Sequence, residues 1–412
     1  MIRALSRSKH MQTDIPLVVW LLGLGCLLNV GGLSLLWPVN SIYIHTSLHK
    51  SMAVAGMVMM VYSGTGLLGS FIGGWLYDRF GAMRVMVFTL VVSCLVILLP
   101  AITPSFAVYV LVMAVFGTSC AIPFPVFNAV VGHAWPAGGR RAFNFLYVSN
   151  NLGVAIGTAL GGAMASNSFR SVFFGIAVGY ASLLLLVVTV LRRPLYEIRA
   201  QLRDDAGDSN EGLRAPIPWG GIGILLAGYI TAWMVYVQWQ STVSVYMQAT
   251  GYSLASYSLL WTLNGLIIFL AQPLVSYVTR RFWSLAAHMV GGVILLALSF
   301  FFMLFAHNYV MYVIAMLLTT LGEIFVWPAV PAAIAQIAPA GRLGTLQGLV
   351  GSAATCGRMI GPVLGGVLYD YAGFHFILLY AIPTLILPVI LFLLYHRFTA
   401  PHLDEMGPER RF

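Results

Sequence analysis

The stretch LGEIFVWPAVPAAIAQIAP, residues 321–339, decides how the chain is read, because Glu323 is its only charged side chain. From His307 to Arg342 no other Asp, Glu, Lys or Arg occurs, so the carboxylate sits in the middle of an apolar run long enough to span hydrocarbon. A carboxylate there is unfavourable unless it is paired, wetted or protonated, and such residues mark ion or substrate pathways. It is the only acid placed deep inside any long apolar stretch of the sequence, which points to a chain that moves something across a membrane.

Composition leads to the same place. Of 412 residues 60% are hydrophobic and only 8% charged, which a soluble domain of this length could not keep out of water. Ile15 to His49 contains no charge, and similar stretches recur. About twelve spans are expected, near 15–42, 53–76, 83–102, 105–132, 142–165, 170–191, 219–246, 255–278, 284–305, 308–335, 343–368 and 373–396. The expected fold is an all-α integral membrane protein of twelve transmembrane helices.

Charge sets the expected orientation. With the N-terminus inside, 18 of the 21 Lys and Arg fall on cytoplasmic segments, including Arg3, Arg7, Lys9, Arg79, Arg84, Arg140, Arg141, Arg280, Arg281 and Arg342. Lys50 and Arg170 fall outside, and Arg358 lies within a span. The positive-inside rule therefore places both termini in the cytoplasm of a cell membrane protein. A net charge of +9 arranged in this way implies anionic lipid on the cytoplasmic face and no nucleic-acid partner. The apolar run after the basic N-terminus is too long for a signal peptide and reads as an uncleaved first helix. Cys26, Cys94, Cys120 and Cys356 lie within spans without metal spacing, so no metal site or disulfide framework is expected. His45, His133, His288, His307 and His375 show no ligand spacing, and His288 reads as structural.

The sequence also repeats itself over roughly half its length. Gly157-Thr158-Ala159-Leu160-Gly161-Gly162 matches Gly361-Pro362-Val363-Leu364-Gly365-Gly366, Pro136-Ala137-Gly138 matches Pro339-Ala340-Gly341, and Asp78-Arg79-Phe80 faces Arg280-Arg281-Phe282. Two pseudo-symmetric six-helix bundles are expected, residues 1–191 and 219–396. Residues 192–218 read as a flexible cytoplasmic linker, and 397–412 as a cytoplasmic tail.

At this point the residues carry a resemblance. Gly74, Asp78, Arg79, Gly81 and Arg84, in GGWLYDRFGAMR, resemble the loop motif GxxxDRxGRR of the major facilitator superfamily, with Ala82 and Met83 where the basic pair is expected. The resemblance implies a gate in which the carboxylate and arginines tie helix ends together. Physical chemistry alone lets Asp78, at a helix end beside Arg79 and Arg84, serve as an ion-pair latch that opens as the halves move; the alternative is ordinary interfacial charges. A second pattern, GxxxGPxxGG, is complete at Gly357, Gly361, Pro362, Gly365 and Gly366. At Gly153, Gly157, Gly161 and Gly162 it carries Thr158 in place of proline. In the family the pattern in the fifth span accompanies export in exchange for protons; generic close packing of helices is the plainer reading. Drug exporters of the family often carry an arginine in the fourth span, whereas residues 105–132 here hold no charge. The segment containing Glu323 is similar to the helix that bears an intramembrane glutamate in proton-driven multidrug exporters.

Glu323 and Arg358 are the expected proton-coupling residues. Counting along both helices puts their depths ~7 Å apart, within reach of an extended arginine if the helices are neighbours. A paired Glu323 keeps its charge, whereas an unpaired one in hydrocarbon takes up a proton more readily and can carry it. For the substrate surface, helical spacing groups Trp233, Tyr236 and Gln240; Tyr257, Trp261 and Asn264; Glu323 and Trp327; Asn29 and Asn40; and Asn144, Tyr147 and Asn151. Rings with scattered amides suit flat, lipophilic, partly polar ligands, with Met52, Met57, Met59 and Met60 as adaptable packing.

Rival classes leave weaker traces. Asp204, Asp205 and Asp208 spell DDxxD, a magnesium-diphosphate spacing in some enzymes, but once only and within the linker, so an enzyme is not expected. No P-loop motif is present, and no filter-like repeat points to a channel. The expected function is proton-coupled export of lipophilic organic compounds by a monomer that uses the proton gradient and no cofactor. The alternative is a proton-coupled importer of a sugar, organic acid or peptide.

Overall fold

Hydrocarbon forces each chain segment to satisfy its own backbone, so long apolar runs become helices. The computed structural model describes residues 15–36, 40–50, 52–165, 168–208, 217–281, 284–339 and 341–405, and contains no strand among them. Its first half comprises α1 (Leu17–Ser34), α2 (Asn40–Thr46), α3 (Met52–Phe80), α4 (Ala82–Val96), α5 (Leu99–Ile102), α6 (Phe106–Ala121), α7 (Pro123–Ala134), α8 (Arg140–Ala165) and α9 (Phe169–Leu186). A π-helical turn, Val187–Leu191, leads into α10 (Arg192–Asp208). The second half comprises α11 (Trp219–Tyr236), α12 (Thr242–Ala249), α13 (Leu254–Leu270), α14 (Gln272–Arg281), α15 (Leu285–Leu304), α16 (Tyr309–Val326), α17 (Ala329–Ile337), α18 (Leu343–Thr384) and α19 (Ile386–Glu405).

Among the described residues nine helices are long and apolar enough to cross a membrane. There are ten if the pair Ser256–Leu270 and Gln272–Thr279, bent by 52°, is one span. The expected twelve departs from this count in two places. Leu343–Phe398 counts as one stretch although Gly373, at φ 77° and ψ 178°, breaks its helix. Helix α8 has 26 residues, but Asn144, Asn150, Asn151 and its glycines lower its hydropathy.

Small residues let paired helices touch through their backbones, as packing in lipid requires. On α8, a methyl group at Gly153, Gly157 or Gly161 would run into the α1 backbone at Leu27, Gly31 or Leu35. The repeat does the same in the second half, where Gly357 and Gly361 of α18 meet α11 at Ile230 and Met234, and Gly365 meets the Gln238 amide. Gly162 and Gly366 take no part, since nothing lies within 4 Å of an added methyl at either. Thr158, in the place of Pro362, keeps an unbroken helix and donates to the Val154 carbonyl at 2.8 Å.

The segment expected to be a flexible linker is helical over Arg192–Asp208. It continues the preceding span through the π turn and packs against the first half, where Arg199 donates to the Arg79 carbonyl at 3.4 Å. The DDxxD aspartates close this helix, and residues 209–216 lie outside the described residues. The helical part of the tail runs to Glu405.

The glycine lines give a direct check. Gly361→Leu must push the Met234 backbone away, an overpacking of roughly 1–3 kcal/mol, and should lower the melting temperature in detergent by several degrees. Gly366→Ala should leave the melting temperature in place. Equal losses would show that helix propensity, and not close approach, governs this surface.

Candidate functional site

Glu323 stands on the last turn of α16 and is 3% exposed. Three side chains of its own half hold the carboxylate. Tyr236 Oη donates to Oε2 at 2.6 Å, Asn264 Nδ2 donates to Oε1, and Trp327 Nε1 donates to Oε2 at 3.3 Å. Asn264 is itself fixed by a 2.9 Å bond to Thr320 Oγ1. From the other half Tyr147 lies alongside the same carboxylate, its buried hydroxyl making no hydrogen bond of standard geometry. The group therefore sits on the seam between the halves, shielded from lipid.

Every donor in this shell is neutral. An indole and an amide nitrogen can only donate, whereas a phenol both donates and accepts. A proton added to the carboxyl group can be accepted by either phenol, Tyr236 already bonded at Oε2 or the unbonded Tyr147 beside it, or by the Asn264 amide oxygen after a flip.

The sequence leaves open whether Glu323 and Arg358 pair, and among the described residues they form no ion pair. Two parallel indoles fill the gap: Trp327 stacks on Trp233 with centroids 4.2 Å apart and planes 7° apart, and the Arg358 guanidinium lies 4.9 Å from the Trp233 ring. Arg358 Nη2 donates to Thr355 Oγ1 at 3.3 Å, and the side chain is exposed although it stands mid-helix. Counting residues along two helices yields depth but not azimuth, which is why a gap of ~7 Å looked bridgeable.

Other residues grouped by spacing divide. Tyr236, Asn264 and Trp327 hold Glu323, Trp233 packs on Tyr236 and Trp327, and Trp261 meets Tyr236 edge-on at 6.5 Å. Gln240 does not join them: α11 ends at Tyr236 in a 3-10 turn over Val237–Trp239, and Gln240 emerges exposed. Gln238 turns inward in its place and donates to the Gly361 carbonyl at 2.7 Å. Asn29 is 1% exposed with neither amide atom bonded, while Asn40, beyond the end of α1, accepts from Tyr109 Oη at 2.7 Å. Asn151 bonds the Tyr147 carbonyl of its own helix, and Asn144 reaches across to Gln272 Oε1 at 2.7 Å. The Asn144 and Tyr147 stripe is thus part of the seam. His288 packs its ring on Phe325, 6.1 Å between centroids.

Asp78 is a latch of a different kind from the expected ion pair. It accepts from Gly344 N at 2.8 Å, Thr345 N at 2.7 Å and Thr345 Oγ1 at 2.6 Å, so it caps the start of α18 across the seam. Free amides and the positive end of the helix dipole favour a carboxylate at that position. Arg79 lies over Trp75 and Phe80 instead, at 5.3 Å and 5.5 Å, and Arg84 is exposed. The role of Gly74 is close approach, since a methyl there would strike the Gly344 carbonyl; Gly81 turns the chain with φ 80°. Ser352 Oγ donates to the Leu67 carbonyl at 2.9 Å, and Arg140 Nη2 to the Ile324 carbonyl at 2.7 Å. These contacts close the seam from the arginine-rich end to the level of Glu323. Sequence reasoning missed Gly344, Thr345, Ser352 and Arg140, and only Pro328, four residues after Ile324, hinted at the last.

Comparison with known proteins agrees with this architecture. The family model of the Major Facilitator Superfamily matches residues 22–350 and 243–410. The chain is 39% identical to an uncharacterized MFS-type transporter, YttB, of Bacillus subtilis (strain 168), over 93% of this chain and 96% of that protein. It is 24% identical to the multidrug resistance protein MdtH of Aeromonas hydrophila, over 86% of this chain and 88% of that protein. The crystal structure of the human organic anion transporter MFSD10 (TETRAN) shares the fold, with TM-score 0.72 at 19% identity, over 91% of this chain and 98% of that one.

The capping role of Asp78 is testable at the seam. Asp78→Ala removes all three bonds, and a cysteine introduced by Ser352→Cys should then be alkylated several-fold faster. Asp78→Asn, which keeps an acceptor oxygen without charge, should fall between. An unchanged rate in both would show that the cap does not hold the seam.

Proposed function

The chain belongs to the major facilitator superfamily of membrane transporters, and on that footing we propose that it exports lipophilic organic compounds in exchange for protons by alternating access. The observation that carries this reading is the Glu323 carboxylate, buried on the seam among neutral donors, with no cation within ion-pair distance among the described residues. A group so placed can exist charged or neutral without breaking an ion pair. The seam that shields it must open for the halves to rock.

The aromatic wall supports the substrate class. Trp233, Trp327, Tyr229 and Tyr236 form one packed cluster beside Glu323, which presents flat apolar surface next to a titratable oxygen. Among the relatives, MdtH is named a multidrug resistance protein. By the positive-inside rule the arginine-rich end is cytoplasmic, so the closed seam corresponds to an outward-facing arrangement.

One observation favours a second reading, import of an organic acid with protons. Arg358 is exposed in the middle of a span, has no carboxylate partner among the described residues, and rests on Trp233, which suits a ligand carrying a negative group.

Proteoliposomes with an imposed pH gradient test the first reading. Wild-type protein should accumulate fluorescent lipophilic cations uphill. Glu323→Gln should bind them, by quenching of tryptophan emission, yet lose accumulation at least tenfold. Uphill transport retained by Glu323→Gln would remove that residue as the coupling site. For direction, everted vesicles are compared with whole cells. Proton-driven uptake of labelled organic acids by cells, lost in Arg358→Gln, together with no accumulation of any cation in everted vesicles, would establish the importer instead.

A further inference from the structure

The carbonyl oxygen of Ile324 has no partner in its own helix. An α-helical carbonyl accepts from the amide four residues later, and here that residue is Pro328, which has no N–H. Helical geometry persists on either side of the break, with Trp327 N bonded to Glu323 O at 2.9 Å and Ala332 N to Pro328 O at 3.4 Å. Ile324 is 0% exposed, so water does not replace the missing donor.

Arg140 of the other half supplies it. Its Nη2 donates to the Ile324 carbonyl at 2.7 Å, and its guanidinium lies 5.6 Å from the Phe325 ring. The side chain is 8% exposed, and among the described residues no carboxylate lies within ion-pair distance of it. This arginine is buried to serve a backbone oxygen, and a desolvated guanidinium without a counterion is a costly way to fill space. Along α8, Arg140, Asn144 and Tyr147 recur at helical spacing on one face. They meet, in turn, the Ile324 carbonyl, the Gln272 amide and the surroundings of the Glu323 carboxylate. Arg140 therefore grips the backbone of the very turn whose side chain is Glu323.

We propose that Arg140 is a positioning residue for Glu323: by completing the carbonyl that Pro328 orphans, it holds the Glu323 turn against the opposite half while the seam is closed, and its withdrawal frees that turn when the halves part. The inference rests on the alternating-access reading above. Two opposed terms make the contact reversible. Opening breaks a charge-assisted bond, which resists separation, while the guanidinium regains water, which favours it. A charge-assisted bond is strong enough to define the closed state, and hydration of the freed arginine keeps that state from becoming a trap.

The test needs neither substrate nor proton gradient. Spin labels are placed through Ala137→Cys and Arg281→Cys, one on each half at the arginine-rich end. Cys94 and Cys356 are replaced by alanine, and the full chain is held in lipid nanodiscs. Distance distributions then give the ratio of closed to open populations. Arg140→Gln should shift that ratio toward open by about tenfold, and Arg140→Lys, which can still donate with a charge, should restore most of it. Pro328→Ala, which returns an amide to Ile324, should also favour the open state. In the Pro328→Ala background Arg140→Gln should shift the ratio less than threefold, because the carbonyl no longer depends on it.

An unchanged ratio in Arg140→Gln, or an equal shift in both backgrounds, would overturn the proposal, since a residue acting only through packing gives additive effects. Should Arg140→Gln not fold, Pro328→Ala alone decides, and an unmoved ratio there overturns it. Because proton coupling is measured separately with Glu323→Gln, a failure of this strut and a failure of the exporter reading are distinguishable.

Discussion

In hydrocarbon a backbone amide or carbonyl must find a partner inside the protein, and most features of this chain follow from where helices leave such groups unpaired. The two halves are joined at two such places, and further by Ser352 on a mid-helix carbonyl and by the Asn144–Gln272 side-chain bond. Asp78 of α3 completes the free amides at the start of α18, Arg140 of α8 completes the carbonyl that Pro328 leaves on α16, and Ser352 of α18 donates to the Leu67 carbonyl of α3. Each is a side chain of one half bonded to the backbone of the other. Such contacts hold only in register, so the seam is closed as a unit or parted as a unit. The rocking proposed for the two halves needs a seam of this kind.

Within each half the same constraint is met by removing side chains. The glycine lines on α8 and α18 bring helix backbones into contact with α1 and α11, and the repeat places them equivalently in the two bundles. Dispersion and weak backbone contacts then bind helices for which lipid offers no hydrophobic driving force. Rigidity inside each bundle matters to the seam, because a motion confined to the interface requires that the interiors do not yield.

Glu323 is where the apolar interior is deliberately incomplete. Its shell of phenol, amide and indole holds a charged carboxylate through three donors, and its phenols have oxygens that can accept from a neutral one. The stacked Trp327 and Trp233 keep Arg358 apart from it. An ion pair at that position would lock the carboxylate into one charge state. The indoles instead keep the Arg358 guanidinium, which donates to Thr355, apart from a carboxylate held by neutral donors alone among the described residues.

The membrane fold, the pairing of helices through glycine and the place of Glu323 in an apolar helix were legible in the sequence, because each depends on composition and period along one segment. Helical character of residues 192–208 was not, since a polar segment without apolar periodicity takes its conformation from the span it continues and the loop it packs on. Nor was the pairing of the charged groups. Asp78 was expected to meet Arg79 and Arg84 and meets α18, and whether Glu323 pairs with Arg358, left open by spacing, is decided by two rings that lie between them. Arg140 counted only as one more cytoplasmic charge. The physical reason is the same throughout: sequence spacing specifies which face of a helix a residue occupies, and only the packing of helices distant in the chain decides what that face meets.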